Sequence, residues 1–348
     1  MTAPVKPFLQ AARGQRAGYT PLWFMRQAGR VLPEYRAVRE RWSLVEICRQ
    51  PALCAEVTLQ PLRRMELDAA VVFADIMLPL IGIGVGIEIV EHVGPVIANP
   101  IRTVNDLDVL RPIEPTADVP YLLETLRLVK GELASTDKAV LGFAGAPFTL
   151  ASYLIEGKPT RDFVRTKSVM YGEPAMWQGM MEHLTQLTIG YLEAQIDSGA
   201  DAVQLFDSWI GALSRPDYER YVQPYVRAIF AALAGRDVPL IHFGTNTAAL
   251  LGTMKGDGGS VMGVDWRVPL DEAWSRIGPG LAIQGNLDPA VLFAPREVLE
   301  DHAADVLRRA GGRPGHIFNL GHGLLPATPL DNVLHLADFV RRESSRCT

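Results

Sequence analysis

The chain has 348 residues, 48% of them hydrophobic, and a formal charge of −5 from 34 Lys plus Arg against 39 Asp plus Glu. That length suits one large α/β domain or two smaller ones with a sizeable core, and the charge argues against a global basic field for nucleic acid. No apolar run approaches the roughly 20 residues of a bilayer span, and three sparse cysteines, Cys48, Cys54 and Cys347, read as reduced thiols with no CxxC pattern.

The opening MTAPVKPFLQAARGQ has no apolar stretch with a cleavage site, so a cytoplasmic protein without membrane insertion is expected. PLWFM (21–25) is a weak candidate strand. Pro33 biases Leu32 away from α geometry and predicts a helix from Pro33 through EYRAVRERW. Residues 26–30 then form a loop, made permissive by Gly29. It carries two guanidinium forks, Arg26 and Arg30, with the Gln27 amide and main-chain N–H groups between them. Guanidinium pairs bidentately with carboxylate or phosphate, so the loop reads as an anion site, with ordinary surface ion pairs as the plainer alternative. Arg36 and Arg39 follow at helical spacing and offer a second layer of charge.

AAVVFAD (69–75) is a buried strand ending on Asp75, a carboxylate whose desolvation must be offset by N–H donors or cations. GIGVGIEIVEHVGPVI (82–97) has enough glycine to suggest a phosphate loop. It reads better as a β-hairpin, alternating over Gly86–Val90, turning at Glu91–His92 and returning over Val93–Ile97. After the strand AVLGFAG (139–145), a tight turn leads to a helix near Thr149 that carries Tyr153 one turn in, as a ligand donor or a core tyrosine. MWQGMMEHLTQLTIGYLEAQIDSG (176–199) is an amphipathic helix closing on Gly199. ADAVQLFDS (200–208) puts Ser208 at a strand tip. Its surroundings are not GxSxG, so it reads as a hydrogen-bonding group and not a nucleophile. VPLIHFGTN (238–246), SVMGVDW (260–266), LAIQGNLD (281–288) and HIFNLGHG (316–323) complete the strands, the last placing His322 between two glycines.

Seven apolar runs and one weaker one, alternating with helices, predict a parallel sheet and, over this length, an α/β fold of the (β/α)8 TIM-barrel type with an arginine-bearing N-terminal loop and a hairpin insertion. A doubly wound open sheet is the alternative. In a barrel the strand ends Asp75, Gly145, Asp207–Ser208, Asn246, Asp265, Asn286 and His322 ring one mouth.

Two long segments, PLWFMRQAGRVLPEYR (21–36) and GFAGAPFTLASYLIEG (142–157), closely resemble the signature segments of the uroporphyrinogen decarboxylase family. VVFADI, LFDSWIG, QGNLDP and FNLGHGLLPATP resemble its remaining landmarks, in the same order. The resemblance implies a cofactor-free, one-domain (β/α)8 barrel acting as a homodimer with facing clefts. It implies removal of CO2 from the four acetate chains of uroporphyrinogen III, giving coproporphyrinogen III in haem synthesis. It assigns Arg26, Gln27, Ala28, Gly29 and Arg30 to a carboxylate-binding loop and Arg39 to a further cleft arginine. It makes Asp75 the aspartate that meets the pyrrole N–H groups, and Tyr153, Ser208 and His322 substrate-holding residues. Ile210 departs from the smaller residue many members carry and is expected to narrow the cleft slightly.

Two other classes compete. Zinc-dependent methyltransferases of this fold need a His-x-Cys pair, and Gly244 stands where that Cys belongs in IHFGTN. A non-catalytic tetrapyrrole-binding protein needs neither Asp75 nor the full arginine set.

Overall fold

The computed structural model describes residues 4–90 and 93–345. Cys347 and the expected turn residues Glu91 and His92 lie outside the described residues. The seven clear apolar runs become the strands of one parallel sheet: β1 (Ala69–Val71), β4 (Ala139–Gly145), β5 (Ala202–Asp207), β6 (Leu240–Gly244), β7 (Val261–Gly263), β8 (Ala282–Gln284) and β9 (His316–Ile317). Their order in the sheet is the order in the chain. β5 pairs with β6 from Val203 opposite Leu240 to Asp207 opposite Gly244. Every residue of β4 and β6 is buried, as continuous apolar strands covered on both faces require. The covering helices include Pro51–Arg64, Pro120–Glu132, Pro174–Asp197, Gln223–Leu233 and Arg296–Ala310.

The expected eighth strand over 21–25 is reduced to one parallel bridge, Leu22 with Phe318. Phe318 N–H donates to the Pro21 carbonyl at 2.8 Å, and Asp68 N–H donates to the Leu22 carbonyl at 2.8 Å. The segment therefore lies between the two ends of the curled sheet. It does not extend as a ladder because the Leu22 N–H is taken at 2.8 Å by the Asp68 side chain, not by a main-chain carbonyl. Asp68 is fully buried and also accepts from Tyr19 Oη at 2.7 Å and from Arg341 at 3.1 Å.

Local signals located the other elements with small shifts. The helix after the arginine loop starts at Pro33 as expected but ends at Arg39, because a separate helix, Leu44–Cys48, starts under a Ser43–Glu46 capping box. The helix carrying Tyr153 starts at Pro147, two residues early, since Pro suits the first helical position. The long helix runs Pro174–Asp197, and Gly199 takes φ +112° just beyond it. The hairpin is present as β2 (Ile87–Val90) against β3 (Gly94–Ile97), antiparallel, with Ile87 opposite Ile97 and Val90 opposite Gly94. Its base is tied to the Tyr153 helix by Ile97 N–H to the Gly157 carbonyl at 2.8 Å. No helix among the described residues is long and apolar enough to cross a membrane.

Candidate active site

A cleft of about 660 Å3 opens at the C-terminal ends of β1, β4, β5 and β6, the end where parallel α/β sheets carry their sites. Its floor is aromatic. Phe143, Phe206 and Phe243 come from three adjacent strands, with ring centroids 5.3 Å apart for the first pair and 5.8 Å for the second, both edge to face. Ile89, Val90 and Pro95 of the hairpin form a rim. Of the residues expected in the site, Arg26, Ala28, Gly29, Arg30, Arg39, Asp75, Tyr153, Ser208 and His322 border this cleft; Gln27 does not.

The arginine loop is built on Gln27. Its Oε1 accepts from Phe24 N–H at 3.0 Å, and its Nε2 donates to the Ala69 carbonyl at 2.9 Å, beneath the surface. Both amide atoms are thus engaged in tying the loop to β1, and none faces the cleft. Sequence shows an amide beside two arginines but not which way it turns. Gly29 is needed for close packing, since a Cβ there would lie 2.7 Å from the Arg26 carbonyl. Arg36, outside the cleft, donates to the Arg30 carbonyl at 3.0 Å and so braces the loop from behind. Arg39 donates to the Trp42 carbonyl at 2.6 Å. Arg26 differs from all of these. Its backbone sits at φ +63°, and its guanidinium makes no hydrogen bond or ion pair among the described residues. Left-handed backbone on a non-glycine residue costs on the order of 1–3 kcal/mol and collects at functional sites.

Facing this cation is Asp75, half-buried at the end of VVFAD. Its Oδ1 accepts from Met77 N–H at 2.9 Å, and its Oδ2 has no hydrogen-bond partner among the described residues. Burial raises its pKa above the usual carboxylate range, opposed by the Met77 N–H and by the charge of Arg26. Tyr153 stacks on Trp209 with centroids 4.0 Å apart. Burial, with the Asp75 charge beside it, pushes its phenol upward, so the hydroxyl stays protonated and available to donate. His322 is driven the other way, down to about 4, by burial and by Arg26 and Arg267. Gly323 N–H donates to its Nδ1 at 2.7 Å, which leaves the proton on Nε2. At neutral pH His322 is therefore a neutral donor, not a stored acid.

The rest of the polar ring turns elsewhere. Asp207 ends β5 as Asp75 follows β1, yet it points away from the cleft. It accepts from Thr149 Oγ1 at 3.3 Å and lies 3.6 Å from His242 Nε2, and His242 Nδ1 lies 3.6 Å from Asp257. All three ionisable groups are buried. Asn246 and Asp265 bond to each other through main chain and carboxylate, and Asn286 donates to the Asp265 and Val268 carbonyls. These residues stitch loops together. Ile210 is fully buried and does not border the cleft, so the expected narrowing is absent. It packs instead on Gly244, where a Cβ would meet Thr247 Cγ2 at 2.7 Å and Ile210 Cγ2 at 2.9 Å. His242 thus faces carboxylates behind the sheet and Gly244 has no room for a thiol, so IHFGTN does not form a His-x-Cys metal site. Phe143, Phe206 and Phe243 were missed by sequence reasoning. Their signal was available as one phenylalanine near the end of each of three consecutive strands, in GFAG, LFDS and HFGT.

A cation and a carboxylate oxygen without partners among the described residues, with neutral donors around an aromatic floor, match the chemistry of a polyanionic ligand with an apolar body. Residues 3–343 match the family model described as uroporphyrinogen decarboxylase (URO-D). The chain is 53% identical over 338 residues to uroporphyrinogen decarboxylase of Frankia casuarinae, covering 97% of this chain and 90% of that one. It is 53% identical to the enzyme of the same name from Streptomyces coelicolor, covering 97% and 95%, and 47% identical to that of Carboxydothermus hydrogenoformans, covering 97% and 96%. The chain belongs to the uroporphyrinogen decarboxylase family. Among solved structures, a methyltransferase from Methanosarcina mazei superposes with a TM-score of 0.81 at 19% identity, covering 97% of both chains. At that identity the likeness concerns the fold alone.

Proposed function

We propose that this chain removes CO2 from the four acetate side chains of uroporphyrinogen III to give coproporphyrinogen III, without a cofactor. The observation that carries the reading is one aromatic-lined cleft bordered by the Arg26 guanidinium and by Asp75 Oδ2, both without partners among the described residues. Uroporphyrinogen carries eight carboxylates on an apolar, flexible macrocycle, and the cleft offers cations spaced around an apolar surface. Losing CO2 requires a place for two electrons, commonly a bound cofactor. Here the pyrrole serves: protonating the ring carbon next to the acetate-bearing carbon gives an iminium-like cation. That cation accepts the electron pair as CO2 leaves, a second proton completes the methyl group, and loss of the first proton from the ring carbon restores the aromatic pyrrole.

Asp75 stabilises the positive charge that grows on the pyrrole nitrogen, and its free oxygen is placed for inward-facing N–H groups. Arg26, Arg30 and Arg39 hold the carboxylates, including the reacting acetate, and so fix orientation. Tyr153 and Ser208 donate from the opposite wall, and His322 donates through Nε2. Because His322 is held neutral, the proton for the ring carbon comes from a substrate carboxylic acid or water in this reading.

The same reading makes the chain one domain in which residues 21–25 close the curled sheet as an eighth strand of a (β/α)8 barrel. It also makes it a cytoplasmic homodimer with the two clefts facing. The test is direct: incubate the protein with uroporphyrinogen under reducing conditions, oxidise, and separate the products by carboxylate number. Sequential loss from eight to four carboxylates in metal-chelated buffer is expected. Absence of any conversion, or dependence on an added metal or prosthetic group, overturns the reading.

A further inference from the structure

Arg26 is an unusual cation because nothing paired holds it. Its position is set sterically. A Cβ at position 323 would meet Arg26 Cδ at 2.5 Å, Cγ at 2.7 Å and Nε at 2.9 Å, and these are its three nearest neighbours. Gly323 itself is not in left-handed backbone, so an L-residue there is conformationally allowed. The three atoms nearest to such a Cβ all belong to the Arg26 stem.

The main chain on both sides leaves that stem little room to retreat. Met25 N–H donates to Asn319 Oδ1 at 3.2 Å, and Leu324 N–H donates to the Met25 carbonyl at 2.9 Å. The Arg26 carbonyl is pressed against Gly29, and the residue is already at φ +63°. The collision involves Cγ and Cδ, close to the anchored backbone, so rotation of the far end does not relieve it.

We propose that Gly323 is a positioning residue for substrate binding: its missing Cβ is the slot through which Arg26 reaches the cleft. This rests on the reading that Arg26 binds a substrate carboxylate. A cation placed by shape, not by an acidic partner, has no ion pair to break when the ligand arrives, so its full charge is available to the incoming carboxylate. The Gly323 N–H separately fixes the His322 tautomer through Nδ1. An alanine keeps that N–H and removes only the slot, so the two roles come apart in one substitution.

The experiment is a double-mutant cycle with Gly323→Ala, Arg26→Ala and the pair, reading KM, kcat and Tm for uroporphyrinogen decarboxylation. Gly323→Ala is expected to raise KM by about tenfold or more, roughly the loss of one charged contact, with a smaller change in kcat. On the Arg26→Ala background it is expected to add nothing, because its collision partner is gone. Normal kinetics in Gly323→Ala beside an impaired Arg26→Ala overturns the inference while leaving Arg26 in the site. Normal kinetics in Arg26→Ala sinks the underlying reading instead. An equal penalty from Gly323→Ala in both backgrounds marks a general structural role and also overturns the inference. If Gly323→Ala alone fails to fold, folding of the double variant supports the steric account and its failure overturns it.

Discussion

Asp75 and Asp207 look interchangeable in the sequence. Each lies at or just past the end of a buried apolar strand, with a phenylalanine one or two residues before it. In the structure Asp75 borders the cleft with one oxygen unpartnered, whereas Asp207 points behind the sheet into a dry cluster with Thr149 and His242. Successive side chains of a strand alternate between faces, which turns Asp207 within β5 away from the cleft, whereas Asp75 lies in the loop beyond β1, where residues 71–76 all border it. The difference teaches that a carboxylate within a strand is bound by the strand's parity, whereas one in the loop beyond it is not. Phe206, the neighbour of Asp207, occupies the cleft side of β5.

Substitution can break that contrast. Asp75→Asn is expected to lower kcat by about 3–4 kcal/mol of transition-state stabilisation, by analogy with a lost oxyanion donor. Burial raises the pKa of Asp75, so its ionised form works against folding at neutral pH, and the same variant should melt no lower than the parent there. Steady-state kinetics beside a melting curve checks both, and near-normal turnover would remove Asp75 from the reaction. Arg30→Ala comes next. It should cost about 1.5–3 kcal/mol in kcat/KM, mostly through KM, as loss of a charged hydrogen bond; unchanged kcat/KM excludes it from binding. Asp207→Ala should reverse the pattern of Asp75. Leaving Thr149 buried without its acceptor should cost about 1–3 kcal/mol of stability, read by urea unfolding, with kcat/KM close to the parent value. A greater loss of turnover than of stability in that variant would erase the distinction between the two aspartates.

The smallest effect concerns acid. His322 has a folded pKa of about 4, below its ordinary 6.5, so the folded state binds fewer protons than the unfolded one between those values. Its contribution to stability is present above about pH 6.5 and is lost as pH falls through about 4. His316, also lowered to about 4 by burial, shares the window. His322→Gln should therefore flatten, but not abolish, the acid limb of a Tm-versus-pH curve. An unaltered limb would show that the His322 ring is not held neutral.

Much of the site was readable before the fold. Arg26, Arg30, Asp75, Ser208 and His322 stand at loop or strand-end positions and Tyr153 stands on the helix that follows β4, all placed by periodicity and proline position, and all reach the cleft. What sequence does not carry is side-chain direction. Gln27 lies between two cleft arginines and faces the scaffold, and Asp265 and Asn286 end strands yet serve their own loops. The weak eighth strand is a related case. PLWFM has strand composition, but the Asp68 carboxylate, far along the chain, takes the N–H that a ladder needs. The end of the Pro33 helix at Arg39 similarly depends on Ser43, whose capping box competes for the residues that follow.

The bridge between Leu22 and Phe318 has a temporal consequence. The loop that follows Leu22 is made long before Asn319 and Gly323, which lie against Met25 and Arg26 and complete its seat. Contacts so distant along the chain form slowly and late. A nascent polypeptide cut short before β9 would own every arginine of the cleft, with the loop already tied to Ala69, and still lack the residues that seat Arg26.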